Sequence, residues 1–317
     1  MESDLVASQL RVSYNSYMWE LFVLVALVLQ ALESVIDKIA IIKNKAINSL
    51  GATFWRSFLF FFWCVLFGVT GMFGELKIFL TWPILFFALL WVGSSFFYTY
   101  QLKNIEISSL SLFSSTIPFF YLVIDTLLLH TNINPLQISG ILFLVSGGFM
   151  LVIQPGKLKF RHEFTWKILC IFFYNFILGS SEYYGFKYYF NYHLLNEISF
   201  YFNTWLVVLI VFIIIISLQN KWKTIFNTIR VNHFFEKTMM SKGLDAMSSW
   251  LWLHAISFVA VSQVNSLGTL YPIIFLGIVF IIQKVFGLKI GERLSPRYLK
   301  LKVVAVILLC AGGLLSL

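Results

Sequence analysis

The sequence predicts an all-α integral membrane protein with ten transmembrane helices, arranged as two inverted five-helix repeats. Apolar segments close to the ~20 residues that a helix needs to cross a bilayer recur along the whole chain. The composition agrees, since 59% of the residues are hydrophobic and only 12% are charged, whereas a soluble domain has about 25% charged residues. The second half also repeats the pattern of the first, as in membrane proteins built from duplicated units.

The predicted helices are separated by short connections with Pro or Gly at several of their ends. Their spans are 19–42, 51–70, 78–101, 106–129, 135–153, 166–190, 197–217, 243–261, 264–286 and 298–317. Asn134-Pro135 begins the fifth span, and such pairs are typical of helix connectors. The longest connection, about residues 218–242, is predicted to be a surface loop that contains Lys242 and an amphipathic turn from Trp222 to Ile229.

The repeat divides the chain into segments within one transmembrane domain. Residues 1–18 are predicted to form a polar extramembrane segment, 19–153 the first five-helix repeat, 154–165 a basic linker and 166–317 the second repeat. An odd number of helices per repeat means that the second copy inserts with the opposite topology. A binding site is then expected near the middle of the bilayer, between the two halves.

The two halves align without a gap around a pair of prolines. YQLKNIEISSLSLFSSTIPFF contains Pro118, and HAISFVAVSQVNSLGTLYPII contains Pro272 at the same place. In this alignment Ser111 lies opposite Asn265. Proline removes a backbone hydrogen bond from a helix, and small polar side chains allow helices to approach closely. These four residues are therefore predicted to be hinge or packing positions.

Basic residues are concentrated in the connections on one side of the predicted membrane. Most of the 23 lysines and arginines lie in the odd-numbered connections, those between spans 1 and 2, 3 and 4, and so on. The positive-inside rule places these connections in the cytoplasm and both termini outside, most simply in a plasma (inner) membrane. Membrane topology thus accounts for the net charge of +9, and nucleic-acid binding is not expected.

The sequence gives no indication of catalysis or metal binding. The three cysteines, Cys64, Cys170 and Cys310, lie in apolar segments, so their spacing fits neither a disulfide framework nor a zinc site. The sequence contains no phosphate-cradling glycine loop and no nucleophile elbow. We therefore expect no enzymatic activity, no cofactor and no metal.

Charged side chains inside the apolar spans are the main functional candidates, because each costs about 2.5–3.5 kcal/mol to insert. Gln30, Glu33 and Asp37 share one face of the first span. Glu182 lies near the middle of the sixth span, on the same face as Asn175. These carboxylates are predicted to bind a substrate or a proton. The alternatives are a structural hydrogen bond for Glu182 and an interfacial position for Asp37.

Two basic residues inside spans have more than one interpretation. Arg56 is predicted to pair with Glu33 or Asp37, to bind an anionic substrate, or to extend to the lipid headgroups. Lys187, near the end of the sixth span, is predicted either to reach the membrane surface or to contribute to the binding site.

Aromatic residues complete the set of candidates. Trp250 and His254 share a face of the eighth span, and His changes its charge near neutral pH. A buried histidine with a satisfied hydrogen bond is the alternative interpretation. Tyr98 and Tyr183 are predicted to line the cavity.

This pattern resembles the drug/metabolite transporter superfamily, in its ten-helix EamA-like branch. The resemblance rests on small residues between spans 3 and 4 and between spans 8 and 9, on the proline that follows, and on a glycine pair in the last helix of each half. Those pairs are Gly147-Gly148 and Gly312-Gly313. Arg56 matches a basic residue that such proteins often carry. The chain departs from the family at His130 and Lys284, which stand where a Glu is common.

The resemblance implies a secondary transporter that moves a small polar metabolite, such as an amino acid, by alternating access. Its expected partners are a small-molecule substrate, the lipid bilayer and a coupling proton or cation. Two alternatives remain open. A nucleotide-sugar or other anion exchanger would need Arg56 and Lys187 to face the centre. A receptor or lipid-handling protein would use the basic cytoplasmic connections to bind anionic lipid.

Overall fold

The computed structural model describes a bundle of helices. The described residues are 2–42, 47–104, 117, 120–121, 124, 135–152, 166–192, 194–231, 233–287 and 296–315. Their helices are α1 (Glu2–Ile42), α2 (Ser49–Val69), α3 (Trp82–Asn104), α4 (Pro135–Val152), α5 (Trp166–Asn191), α6 (Glu197–Leu218), α7 (Trp222–Ile229), α8 (Phe234–Phe258), α9 (Val261–Gly268), α10 (Tyr271–Phe286) and α11 (Pro296–Leu315). The all-α prediction is confirmed for this part of the chain.

Several helices are long and apolar enough to cross a bilayer. Five such segments occur in the described residues: Met18–Ile41, Ser49–Val69, Trp82–Thr99, Glu197–Leu218 and Val261–Val285. Helices α4, α5, α6, α8 and α11 correspond to the predicted fifth, sixth, seventh, eighth and tenth spans. The fourth span, 106–129, lies outside the described residues apart from 117, 120–121 and 124. The number of ten helices therefore stays a prediction.

The predicted surface loop at 218–242 is wrong in its second half. Its amphipathic turn forms α7, but α8 already begins at Phe234. Thr238, Ser241 and Lys242 are polar and lower the hydropathy of this stretch, yet all three are buried. They face the interior of the bundle, so the helix extends over residues that resemble a loop in composition.

The predicted ninth span is divided into two helices. Helix α9 ends at Gly268, and α10 begins at Tyr271 after the turn at Thr269 and Leu270. Pro272 stands in the first turn of α10, where its missing N–H costs no helical hydrogen bond. Pro272 therefore begins a new helix instead of bending a continuous one.

The helices of the two halves pack against each other in reciprocal pairs. Helix α1 lies along α8, and α3 contacts α5. Helix α2 contacts both α6 and α8, and α3 also contacts α6. Helix α4 lies along α11, whereas α1 also packs against α10. These contacts enclose the polar interior between α1, α2, α3, α5, α6 and α8.

Glycine allows α4 and α11 to approach backbone to backbone. A Cβ atom added at Gly312 would lie 2.6 Å from the carbonyl oxygen of Gly140, and one added at Gly147 would lie 3.0 Å from that of Ala305. The glycine positions that close each half thus serve the close packing of these two helices.

Side chains of α6 hold the extended connection between α2 and α3. The Asn203 amide accepts from the Phe79 N–H and donates to the Lys77 carbonyl, at 2.9 and 2.7 Å. Ser199 binds the same segment, since its hydroxyl accepts from the Lys77 N–H and donates to the Glu75 carbonyl. A segment without regular structure thereby obtains partners for its backbone groups.

Candidate functional site

A cavity of about 290 Å³ lies in the polar interior of the bundle. Its wall combines charged, hydroxyl and aromatic side chains contributed by six helices. The lining residues are Gln30, Glu33, Ser34, Thr53, Arg56, Ser57, Phe60, Trp91, Ser94, Ser95, Tyr98, Leu178, Gly179, Glu182, Tyr183, Tyr201, Trp205, Lys242, Asp245 and Ser249. Ligand sites combine apolar walls with a few convergent polar groups, and this cavity has that composition at a size suited to a small molecule.

Glu33 and Asp37 lie one turn apart on α1 and face Arg56 of α2. The Arg56 Nη2 atom is 2.6 Å from Asp37 Oδ2 and 3.7 Å from Glu33 Oε1. All three residues are buried, with Asp37 only 1% exposed. The pairing of Arg56 with these carboxylates, predicted as one of three possibilities, is observed. A buried charge needs such a partner because it has lost its water.

Lys242 of α8 joins the same carboxylates from the opposite side. Its Nζ atom is 2.6 Å from Glu33 Oε1, 2.7 Å from Asp245 Oδ2 and 3.4 Å from Asp37 Oδ2. Ser241 donates a hydrogen bond to Asp37 Oδ1 at 2.5 Å. Helices α1, α2 and α8 are thus joined by charges that are buried except for the partly exposed Asp245. This group is here named the ionic cluster: Glu33, Asp37, Arg56, Lys242 and Asp245. Its carboxylates outnumber its cations.

Neutral groups fix the positions of the charged ones. Arg56 lies over the Tyr98 ring, with its Cζ atom 4.2 Å from the ring centroid, an arrangement favoured by the ring quadrupole. Ser34 donates to Glu33 Oε2 at 3.0 Å, and Tyr271 of α10 donates to Ser34 at 2.9 Å. The Glu33 carboxylate is therefore held by groups from three helices.

Glu182 on α5 differs from these carboxylates. The residue is 3% exposed, and its Oε1 atom has no hydrogen-bond partner. Tyr201 and Trp91 lie beside it. Among the described residues no cation forms an ion pair with Glu182, in contrast to the carboxylates of the ionic cluster.

Two N–H groups of the cavity-lining residues are without a partner among the described residues. They are the indole N–H group of Trp205 and the Nε–H group of Arg56. The Trp91 and Trp205 rings are neighbours, with centroids 5.3 Å apart. Buried donors are rarely left without an acceptor, so they indicate where a ligand or water binds.

Several predicted site residues line other parts of the fold. Lys187 donates a 2.5 Å hydrogen bond to the Val259 carbonyl, at the turn between α8 and α9. The His254 Nδ1 atom is 2.8 Å from Glu197 Oε1, and the His254 ring stacks on Trp250 at 4.9 Å. The expected common face of Trp250 and His254 is present, but the structure gives His254 a carboxylate partner outside the cavity wall.

Of the remaining predicted residues, some line the cavity and others do not. Tyr98 and Tyr183 line the cavity, whereas Asn265 donates to the Val261 carbonyl of its own helix at 2.8 Å. Pro118, Ser111 and the side chain of Asn175 lie outside the described residues.

Sequence reasoning missed Lys242 as a site residue, together with Trp91, Tyr201 and Trp205. The signal for Lys242 was available, because Lys242, Asp245 and Ser249 follow the spacing i, i+3, i+7 that places residues on one helical face. The aromatic residues carried no comparable signal, since aromatic side chains also fill lipid-facing positions throughout this chain.

Comparisons with known proteins agree with the resemblance. Residues 17–153 match the EamA-like transporter family, a stretch that includes Glu33, Asp37, Arg56 and Tyr98. Proteins of this family are membrane transporters rather than enzymes. A crystal structure described only as that of a protein is 14% identical, with a TM-score of 0.64 over 94% of this chain and 96% of the other. That likeness concerns the fold alone, and no curated protein matches the chain.

Proposed function

We propose that this chain, whose first half matches the EamA-like transporter family, is a secondary transporter of a small polar metabolite, such as an amino acid, and works by alternating access. The observation that carries the proposal is the cavity of about 290 Å³ with its buried charges. A purely structural bundle gains little from such a cavity, because each buried charge costs several kcal/mol to desolvate.

Reciprocal packing of the helices supports an inverted repeat of ten helices as the framework for this transport. The first helix of each half contacts the third helix of the other half, as in the pairs α1–α8 and α5–α3. The second helices contact each other, as do the last ones, in the pairs α2–α6 and α4–α11. A two-fold relation between the halves produces such reciprocity, and transporters with inverted repeats bind substrate between the halves.

The break between α9 and α10 supports alternating access. A helix interrupted at Thr269 and Leu270 and resumed at Tyr271-Pro272 has two segments that are free to tilt separately. Tyr271 also contacts Ser34, which binds Glu33. Movement at the break would therefore reach the cavity wall. Glu33 and Glu182 are the proposed groups for substrate or a coupling proton.

Anion exchange receives less support from the same geometry. Arg56 is held by Asp37 at 2.6 Å, and Lys187 donates to the Val259 carbonyl. The charge of Arg56 is thus paired with a carboxylate, and Lys187 is not among the residues that line the cavity. The acidic side chains of the cavity region outnumber its basic ones, so an anionic substrate would meet net repulsion.

One observation favours a role for lipid contact alongside transport. Helix α7 carries exposed Lys223 and is flanked by exposed Lys221 and Arg230, while the side chain of Phe226 is 53% exposed. A basic, partly apolar surface segment next to a candidate membrane span suits anionic lipid headgroups, at about 1 kcal/mol per basic residue. Lipid contact of this kind is compatible with a transporter.

The proposal is tested by counterflow of a radiolabelled amino-acid mixture in proteoliposomes. We expect uptake by the wild-type protein and at least a ~10-fold loss in Glu33→Gln and in Glu182→Gln, because each removes a charge from the cavity. Glu236→Gln, an exposed position on α8, is the matched control. Wild-type rates in both cavity variants would refute the site assignment. Absence of any uptake, with stabilisation by anionic lipid alone, would favour a lipid-handling protein.

A further inference from the structure

The carboxylates around the cavity differ in whether a cation of the chain contacts them. Glu33 and Asp245 are paired with Lys242 at 2.6 and 2.7 Å, and Asp37 is paired with Arg56 at 2.6 Å. Glu182 has an unpartnered Oε1 atom and is 3% exposed. An ionised carboxylate in such a place requires a positive partner, because burial has removed its water. Within the described residues the chain provides no such partner.

The surroundings of Glu182 suit an ammonium group. The N–H group of Trp91 and the O–H group of Tyr201 are directed towards the carboxyl group of Glu182, and Tyr183 and Trp205 are also part of the cavity wall. Aromatic faces attract cations through the ring quadrupole, and this attraction grows when water is excluded. An ammonium ion here would bind a carboxylate inside a cavity with an aromatic lining.

The charged groups around the cavity also favour a cationic ligand. Glu33, Asp37, Asp245 and Glu182 are acidic, whereas Arg56 and Lys242 are basic. When all four carboxyl groups are ionised, the excess of negative charge attracts a cationic ligand and repels an anionic one. The indole N–H group of Trp205 has no acceptor, so a ligand that also carries an acceptor group would satisfy it.

From these observations we infer that the cavity binds an organic amine in its ammonium form, with the ammonium group at Glu182. The inference rests on the proposed transport function and names the substrate class of that same site. In this inference Glu182 binds the ammonium group and Asp37 holds Arg56 in place, whereas Glu33 pairs with Lys242 and remains the proposed group for a coupling proton. The amine is recognised by its charge and its N–H donors, and the aromatic wall accommodates an apolar substituent.

Three compounds with one skeleton test the inference: phenethylamine, phenylalanine and 3-phenylpropanoate. At neutral pH they are a cation, a zwitterion and an anion, respectively. Comparison of their affinities therefore isolates the contribution of the ammonium group. Binding to the purified wild-type protein in detergent is measured by calorimetry at neutral pH. We expect the amine and the amino acid to bind at least ~10-fold more tightly than the acid, as for charge-assisted hydrogen bonds in a dry site.

The isosteric variant Glu182→Gln supplies the second arm. We expect it to weaken binding of the amine at least ~10-fold and to leave the acid unchanged. Glu236→Gln, exposed on α8, should leave all three affinities unchanged. The relative affinities of the three compounds for the wild-type protein test the ammonium site even if Glu182→Gln fails to fold.

The outcomes separate this inference from the proposed function. Equal affinity of the amine and the acid, or amine binding unaffected by Glu182→Gln, would overturn the ammonium site. Failure of the wild-type protein to bind any of the three compounds would overturn it as well. Counterflow of the amino-acid mixture tests transport independently. If Glu182→Gln takes up the mixture at the wild-type rate, the transport function is retained and the amine site at Glu182 is refuted.

Discussion

Replacing Lys242 by Met removes one charge from the ionic cluster and keeps the length of the side chain. Lys242 is 3% exposed and lies 2.6 Å from Glu33 and 2.7 Å from Asp245. Removing one partner of a buried ion pair costs about 3–5 kcal/mol, since the other charge stays buried without compensation. The Asp245 side chain is 28% exposed, so water relieves part of the loss, and we expect about 3 kcal/mol.

Thermal unfolding of the purified protein in detergent measures this loss. At ~2–4 °C per kcal/mol for large chains, Lys242→Met should lower the melting temperature by at least about 6 °C. Lys237→Met, about one and a half turns earlier on α8 and partly exposed, is the matched control and should change the melting temperature little. Adding Glu33→Gln to Lys242→Met removes both partners, so the double variant should lose less than the sum of the two. A shift below about 2 °C for Lys242→Met would refute a stabilising role for the cluster.

Two further predictions concern packing and the connection between α2 and α3. Gly312→Ala places a methyl group 2.6 Å from the Gly140 carbonyl oxygen and should lower the free energy of unfolding by about 1–3 kcal/mol, measured by thermal unfolding. Gly277→Ala, where an added Cβ would have nothing within 4 Å, is the control. Equal melting temperatures for the two variants would contradict backbone contact between α4 and α11. Asn203→Leu removes two hydrogen bonds to residues 77–79 and should speed their hydrogen exchange, whereas unchanged exchange would mean that other contacts hold this segment.

Helix positions and one half of the ionic cluster could be predicted from the sequence. Long apolar runs locate most helices, because crossing a bilayer requires that length and composition. The i, i+4 spacing of Glu33 and Asp37 places both on one face of α1, and Arg56 is one of the few cations inside a span that can reach them. The observed contacts of 2.6 and 3.7 Å follow from that arrangement.

The other half of the cluster could not be found by the same reasoning. Hydropathy averages over a window, and the polar residues near the start of α8 lower that average although Ser241 and Lys242 are buried. Only the i, i+3 spacing of Lys242 and Asp245 indicates that both face the interior. That spacing has a meaning only when this segment is known to be helical, and α8 begins at Phe234. Aromatic wall residues such as Trp205 depend on tertiary packing, which no local pattern encodes.

The two glutamates that the predicted repeat makes equivalent have unequal surroundings. Glu33 and Glu182 lie in the first span of each predicted repeat, each five residues before a lysine, Lys38 and Lys187. Both cations of the cluster, Arg56 and Lys242, contact Glu33. Repetition of a helical unit repeats backbone positions, whereas the charge at each position is free to diverge. The result is a division of roles: Glu33 contributes to holding α1, α2 and α8 together, and Glu182 keeps an unpartnered oxygen. Under the proposed transport function, Glu182 is the carboxylate that gains most from a cationic ligand, because an anion already paired within the protein offers a ligand little additional binding free energy.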